Sequence, residues 1–425
     1  MILLNLRDWR YYLRMKIRFL FFIIFGFNFL ISQNSLLSLN GFGEYLNIRD
    51  GSSLGLGESR MFSSNIVSLS SISSYSNMNS SFLAMSLSFN QHQIDNIDNI
   101  NSNVIEFLSY NFPISKKTIF SIAMSPVFRA NLQVSELDNQ IFGADVSTID
   151  LDNDGNNDPI AYNSDYDFNG GISEFSSGLS TKFSKNLNIG FKIGKIFGSS
   201  KRVSNLRLYQ VSYDQSGNID YDLFSTQNFS NSFFYSSYNF LFDIRFSIPQ
   251  LSKTANGNEF VLIYEKSDNM NVDMSLNNSE TSQSFETLKE MSNLGFGFKM
   301  NFSDNFSFLL EINDFKFFKS DNLLNIFNND YPDYQSFHIG FNNNFKKYNI
   351  NYGLCFKNYN LNNYNISDLG LTFGFGFKYL EHNNFDFGLK FGKRNSEFYE
   401  LHDEKYFKLY MTIISSEKWF IKKRK

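Results

Sequence analysis

"LGLTFGFGFKYLEHNNFDFGLKFGK", from Leu369 to Lys393, alternates almost from end to end. One set of residues reads Leu369, Leu371, Phe373, Phe375, Phe377 and Tyr379; the set between them reads Gly370, Thr372, Gly374, Gly376 and Lys378. After the short polar "LEHNN" the pattern resumes, with Phe385, Phe387, Leu389 and Phe391 against Asp386, Gly388, Lys390 and Gly392. A period of two is the signature of a β-strand, and two such runs across a short polar turn read as a hairpin. One face of this hairpin is phenylalanine and leucine; the other is glycine and charge. The fold depends on what the phenylalanine face meets.

The same pattern recurs along the chain. "LGFGFKMNFSDNFSFLLEIN" puts Leu294, Phe296, Phe298 and Met300 on one face, continued by Phe306, Phe308, Leu310 and Ile312. About 14 such strands start near residues 81, 104, 117, 172, 187, 232, 259, 288, 305, 335, 348, 367, 384 and 403. Connections near 113–116, 184–186, 302–304, 345–347 and 380–383 are tight, and that near 249–258 is intermediate. Those near 132–171, 199–231, 269–287 and 318–334 are long and polar. Short turns at one end and long loops at the other are the plan of a transmembrane β-barrel, whose apolar set faces lipid and whose other set faces the lumen. In a soluble sandwich the phenylalanine wall must meet a second apolar layer, and nothing places all the long loops at one end. The expected fold is therefore all-β: an antiparallel transmembrane barrel of about 14 strands.

Composition bounds the function. Of 425 residues, 51 are Phe and 23 Tyr, yet mean hydropathy is only -0.28. A net charge of -4 gives no electrostatic case for nucleic acid. A single cysteine, Cys355, excludes an intrachain disulfide, a multi-cysteine zinc site and an iron–sulfur cluster. The four histidines, His92, His338, His382 and His402, are scattered without metal spacing, and no local motif supplies a catalytic serine. An enzyme is not expected.

"MKIRFLFFIIFGFNFLIS", starting at Met15, has the cationic opening and apolar run of a secretory signal. The expected organisation is a signal peptide over 1–32, an N-terminal plug over 33–80 and the barrel over 81–416, with long extracellular loops at 132–171 and 199–231. A basic periplasmic tail follows over 417–425. Both termini are then periplasmic, and the protein is expected as a monomer in the bacterial outer membrane. Its partners there are outer-membrane lipid and the barrel-assembly machinery that inserts it. The aromatic "SSEKWF" near the C-terminus loosely resembles the strand that this machinery reads.

Residues 33–80 do not alternate. They carry "DGSSLGLGE", a serine- and glycine-rich run. With about 14 strands, this resembles the FadL/TodX family of outer-membrane transporters. The resemblance implies an N-terminal hatch inside the lumen and passive uptake of hydrophobic small molecules such as long-chain fatty acids or hydrocarbons. The same plan also serves secretion-associated barrels, so the alternative is a non-transport barrel acting as a secretion partner or surface structural protein.

Two candidate sites stand out. In "DLDNDGNND", Asp150, Asp152, Asp154, Asn156 and Asp158 occupy positions 1, 3, 5, 7 and 9 of a calcium loop, with Gly155 at the turn and no acidic residue at position 12. A structural Ca2+ in an extracellular loop is the expectation; "DYDFNGG", with Asp165, Asp167 and Asn169, offers a second opening of the same spacing. On the lumen face, Lys192, Asp243, Arg245, Lys299, Lys378 and Lys390 are candidates to meet a passing ligand or a plug. Glycines at alternate lumen positions favour close approach by the plug. Arg49 and Asp50 are expected to meet lumen charges of opposite sign through exposed pairs worth little each.

Overall fold

The computed structural model describes residues 44–47, 49–62, 69–77, 80–94, 100–135, 140–142, 159–213, 219–248, 257–276, 283–319, 333–361, 364–380, 383–396 and 403–417. The signal segment, the Asp150–Asp158 loop and the basic tail lie outside the described residues.

Strands follow the alternation. In chain order they are β1 (Glu44–Tyr45), β2 (Ser81–Ile94), β3 (Ile100–Pro113), β4 (Thr118–Ser135), β5 (Gln140–Phe142), β6 (Ile160–Lys182), β7 (Leu187–Tyr213), β8 (Ile219–Ile248) and β9 (Asn258–Ser267). Then come β10 (Met270–Leu276), β11 (Gln283–Leu288), β12 (Ser292–Asn301), β13 (Phe306–Lys316), β14 (Asp333–Asn344), β15 (Tyr348–Leu361), β16 (Tyr364–Leu380), β17 (Asn383–Ser396) and β18 (Glu404–Glu417). Each wall strand pairs antiparallel with the next, and β18 closes on β2 from Glu404↔Ile94 to Glu417↔Ser81. The result is a closed 14-stranded antiparallel barrel, with β1, β5, β10 and β11 as short additions. Closure removes the sheet edges, which lipid cannot hydrate.

The opening hairpin is β16 and β17. Phe373 pairs with Leu389 and Phe375 with Phe387, all on the outer face. Leu369, Leu371, Phe373 and Phe391 are about half exposed or more, as a lipid-facing wall requires. Gly374 pairs with Gly388 on the inner face.

Two expectations change. Among the described residues, the stretches expected as long loops at 132–171 and 199–231 carry strand: β6 starts at Ile160, and β7 and β8 run 27 and 30 residues. Beyond the bilayer both faces of a strand meet water, so the alternation that marks a strand fades there. The strands expected near 259 and 288 are each broken in two. β9 lies between β8 and β12, and past the break β10 continues along β8 at Asn231–Ser236 with β11 on its other side.

Candidate functional site

The lumen is occupied by the chain's own N-terminal segment. It enters at β1, turns through a short helix α1 (Gly51–Gly55), and ends in a 3-10 helix over Ile72–Asn77. Asp50 caps α1, its carboxylate accepting from the Ser53 amide at 2.8 Å and the Ser53 hydroxyl at 2.8 Å. Such a cap offsets helix donors that have no partner of their own.

Glycine explains how the helix lies against the wall. A Cβ on Gly55 would sit 2.5 Å from the Gly374 Cα, and one on Gly388 would sit 2.3 Å from the Gly51 carbonyl oxygen. Backbone rests on backbone, so the glycine face of the opening hairpin is the seat of α1. Just after it, Gly57 and Glu58 have φ of 72 and 61, a left-handed turn that ends the helix.

Beyond the turn, polar groups lock the segment. The Glu311 carboxylate accepts from the Ser59 hydroxyl at 2.8 Å and from the amides of Arg60 and Met61 at 3.0 Å. Asp243 accepts from the Ser73 amide at 3.0 Å and the Ser71 hydroxyl at 2.9 Å. Thr412 and Thr372 accept from the amides of Gly51 and Gly57, each at 2.9 Å. Two wall carboxylates thus take the backbone donors that a coil inside a barrel leaves over.

Ion pairs close the remaining charges. Glu58 lies 2.8 Å from Lys357 and 3.2 Å from Lys390. Arg60 pairs with Glu265, which Lys192 also approaches at 3.3 Å; Lys192 reaches Glu174 at 3.0 Å. Glu44 pairs with Lys408 at 2.6 Å and Arg394 at 3.3 Å. Burial alone would raise the Glu58 carboxyl, but the ammonium groups of Lys357, Lys390 and Lys408 outweigh it and hold it well below the usual carboxylate range. Glu44 is lowered in the same way, by Lys408, Arg394 and His92 against its burial.

Apolar packing adds to these contacts. Met61, Phe62, Leu69, Ile72 and Tyr75 of the segment are buried against wall residues including Phe107, Val261 and Leu309. Nearer the long-loop end a second cluster spans the lumen, with Phe128, Phe233, Met270, Phe315 and Tyr334 each 3% exposed or less.

One part of the wall is incomplete. β3 and β4 pair only from Leu108↔Met124 to Pro113↔Ile119, although both strands run on towards the long-loop end. Pro126 stands where the ladder stops, and the β4–β6 register shifts between Pro126 and Phe128. Proline cannot donate to a ladder, and the bulge turns the strand inward. Just past this point β1 pairs with β4 alone among the described residues: Glu44 with Arg129 and Tyr45 with Phe128, and the Leu46 amide donates to the Val127 carbonyl at 2.9 Å. The Tyr45 ring packs between Phe128 at 5.3 Å, Phe315 at 5.4 Å and Phe317 at 4.9 Å.

Of the lumen candidates, Lys192, Asp243, Arg245 and Lys390 are buried and joined to the N-terminal segment or its partners. Arg245 donates to the Met61 carbonyl at 2.6 Å and pairs with Glu259 at 2.5 Å. Lys299 approaches Glu259 at 3.8 Å from a more open position. Lys378 stands apart and exposed at the short-turn end. Arg49 meets a lumen charge, Glu174 at 3.9 Å, whereas Asp50 is spent on capping α1. The pairs are buried, not exposed as expected, because α1 and its flanks fill the space water would need. Asp165–Gly170 lies within β6 and not in a loop, with Asp165 paired to Arg207. The reading missed Glu44, Glu58, Arg60 and Glu265. Only the "GESR" run, a charge pair inside a glycine-rich plug, signalled two of them.

Several solved structures share this fold. The CymD monoaromatic hydrocarbon channel aligns with a TM-score of 0.53 at 11% identity, over 88% of this chain and 99% of that one. A Pseudomonas aeruginosa FadL homologue gives 0.53 at 9% identity, over 89% and 100%. The P. putida toluene transporter TodX gives 0.50 at 10% identity, over 88% and 99%. At such identities the likeness is one of fold. No curated protein sequence matches the chain. The family model of BamG matches residues 15–425, nearly the whole sequence, and the chain belongs to the BamG family.

Proposed function

We propose that this protein is an outer-membrane barrel with periplasmic termini and a closed lumen. It works as a secretion or structural partner of other envelope proteins, through its outer surfaces and not by conducting solute. The observation that carries this reading is the polar lock. The hatch amides end on Glu311 and Asp243, and Glu44, Glu58 and Arg60 are each buried in ion pairs with wall residues. Opening the lumen breaks these carboxylate–amide bonds and ion pairs together, so the hatch is held by many contacts at once and not by a single latch. Mild-detergent extraction of the native membrane, followed by native mass measurement, tests it. A stoichiometric assembly containing this chain and another envelope protein is expected. A monomer carrying an apolar small molecule would count against it.

The gap between β3 and β4 favours a second reading: lateral passage of hydrophobic small molecules such as long-chain fatty acids or hydrocarbons. A ligand crossing the apolar cluster around Phe128 would leave between β3 and β4 past Met124, beside the stretch of β4 that β1 pairs with. Lipid analysis of the purified protein separates the two readings, since a bound fatty acid or hydrocarbon supports passage. We further propose that Asp150, Asp152, Asp154, Asn156 and Asp158 brace their loop around Ca2+. Protease cutting of that loop on intact cells should then rise when calcium is chelated.

A further inference from the structure

The hairpin of β7 and β8 is far longer than a membrane crossing needs. A transmembrane strand takes about 9–11 residues; β7 has 27 and β8 has 30. The outer face records the change of solvent. Phe175, Lys195 and Tyr238 lie side by side, then Ser173, Phe197 and Ser236; further out the rows become Asp167, Val203, Ser230 and Asp165, Asn205, Asn228. The outer part of β6, β7 and β8 is therefore a blade standing in water.

The two edges of this blade are treated differently. On the β6 side the chain covers its own edge: β5 pairs with Ile160–Tyr162 and β4 with Asp165–Thr181. On the other side β9 pairs with β8 at Asn239–Ile248 and β10 at Asn231–Ser236. From Ile219 to Phe229, β8 is paired with β7 alone among the described residues. Proteins guard such edges with lysine, proline, short length or a covering segment. "IDYDLFSTQNF" has neither lysine nor proline, and it presents Ile219, Leu223, Phe224 and Phe229 to solvent. Its guarding features are Asp220 and Asp222 near the tip and a bulge at Phe224, which divides the edge into Ile219–Leu223 and Ser225–Phe229.

We infer that the β8 edge from Ile219 to Phe229 is a docking site that takes an extended strand of a different polypeptide by strand addition. The inference rests on the partner reading and names the surface that the partner uses. Main-chain hydrogen bonds supply the affinity, and alternate side chains supply the choice. Asp220 and Asp222 near the tip select Lys or Arg on the incoming strand; Leu223, Phe224 and Phe229 select apolar residues further in. A second copy of this chain does not fit. In one membrane two copies present β8 in the same direction, so their edges would pair parallel. The slanted bonds of a parallel ladder are not equivalent on its two strands, so no two-fold contact forms.

The test uses the full-length protein in its native cells. The photocrosslinker p-benzoylphenylalanine is placed singly at each of residues 219–229, with Tyr166 and Phe168 on the neighbouring strand as controls. Crosslinked residues on both sides are mapped by mass spectrometry. The expected result is one partner polypeptide whose crosslinked residues advance steadily along its sequence as the probe moves along β8. Leu223→Lys, which adds an edge charge, should cut the yield at Phe229 at least tenfold while the barrel keeps its folded electrophoretic mobility. Three results would overturn the inference: yields no higher than at the controls, crosslinks without a common register, or a homodimer of this chain. If no ladder appears but a stoichiometric assembly is still isolated, the edge is wrong and the partner reading stands. If a ladder appears while the lumen conducts, the edge stands and the closed lumen falls.

Discussion

The wall at β14 to β17 and the wall at β3 and β4 hold the same hatch by different means. Between β15 and β16 the ladder is complete, from Tyr348↔Phe377 to Leu361↔Tyr364. There the hatch contributes nothing to the wall. It lies on the glycine face and is held by side chains such as Lys357, Lys390 and Thr372. Between β3 and β4 the ladder stops at Leu108 and Met124, and the hatch supplies strand pairing itself through Glu44, Tyr45 and Leu46. On one side the hatch is cargo locked by charge; on the other it is tied to a wall strand by main-chain bonds. A hatch paired with β4 cannot leave without giving up those main-chain bonds, which the stretch of β4 past Met124 does not make with β3.

The largest effect belongs to the seat of α1. Gly55→Val places a Cβ where the Gly374 Cα stands 2.5 Å away, with backbone on both sides and no side chain to move. The helix should lift from β16. Protease should then cut within 44–77 in detergent micelles while the barrel stays intact. Unchanged protection would show that the complete wall does not depend on this contact.

Next comes the lock. Glu58→Gln leaves Lys357 and Lys390 buried with one partner fewer and should loosen the hatch by about 3–5 kcal/mol. Adding Lys357→Met should recover part of the loss, because the stranded charge goes with it. Hydrogen exchange of the α1 amides reads both variants, and equal exchange in the single and double variants would remove charge from the account.

Tyr45→Ala tests the other side. It empties the space between Phe128, Phe315 and Phe317 at a cost of about 3 kcal/mol. Exchange should rise at Leu46 and in β4, and stay unchanged at α1. A rise at both would mean that the two sides are not independent.

Acid should give the smallest effect until the pH is low. The folded carboxyls of Glu58 and Glu44 are depressed, so their contribution is complete above the unfolded value of 4.5 and is lost as pH falls below it. Hatch protection should be flat between pH 5 and 8 and decline only under stronger acid. A midpoint near pH 6 would point to histidine instead.

The barrel was legible because lipid imposes one rule on every strand: apolar residues on alternate positions. Leu369 to Lys393 obeys it on both strands of the hairpin, and the glycine on its inner face marked the seat of the plug. The blade was illegible for the opposite reason. At Asp165 or Asn228 both faces meet water, and polar strand then looks like loop. The lock was half legible. Lys192, Asp243, Arg245 and Lys390 fell on the inner face by counting, but their partners Glu265 and Glu58 come from distant strands or from the hatch, and no local spacing records that meeting. The gap was signalled by Pro126 alone, and the sequence carries no sign that Glu44–Leu46 pairs with β4 beside it.

Conductance in planar bilayers tests the closed lumen most directly. The mature full-length protein should insert and pass almost no current over the physiological voltage range, and a variant lacking residues 44–77 should open steps characteristic of a wide pore. Stable open steps from the full-length protein, equal to those of the deletion variant, would contradict the account.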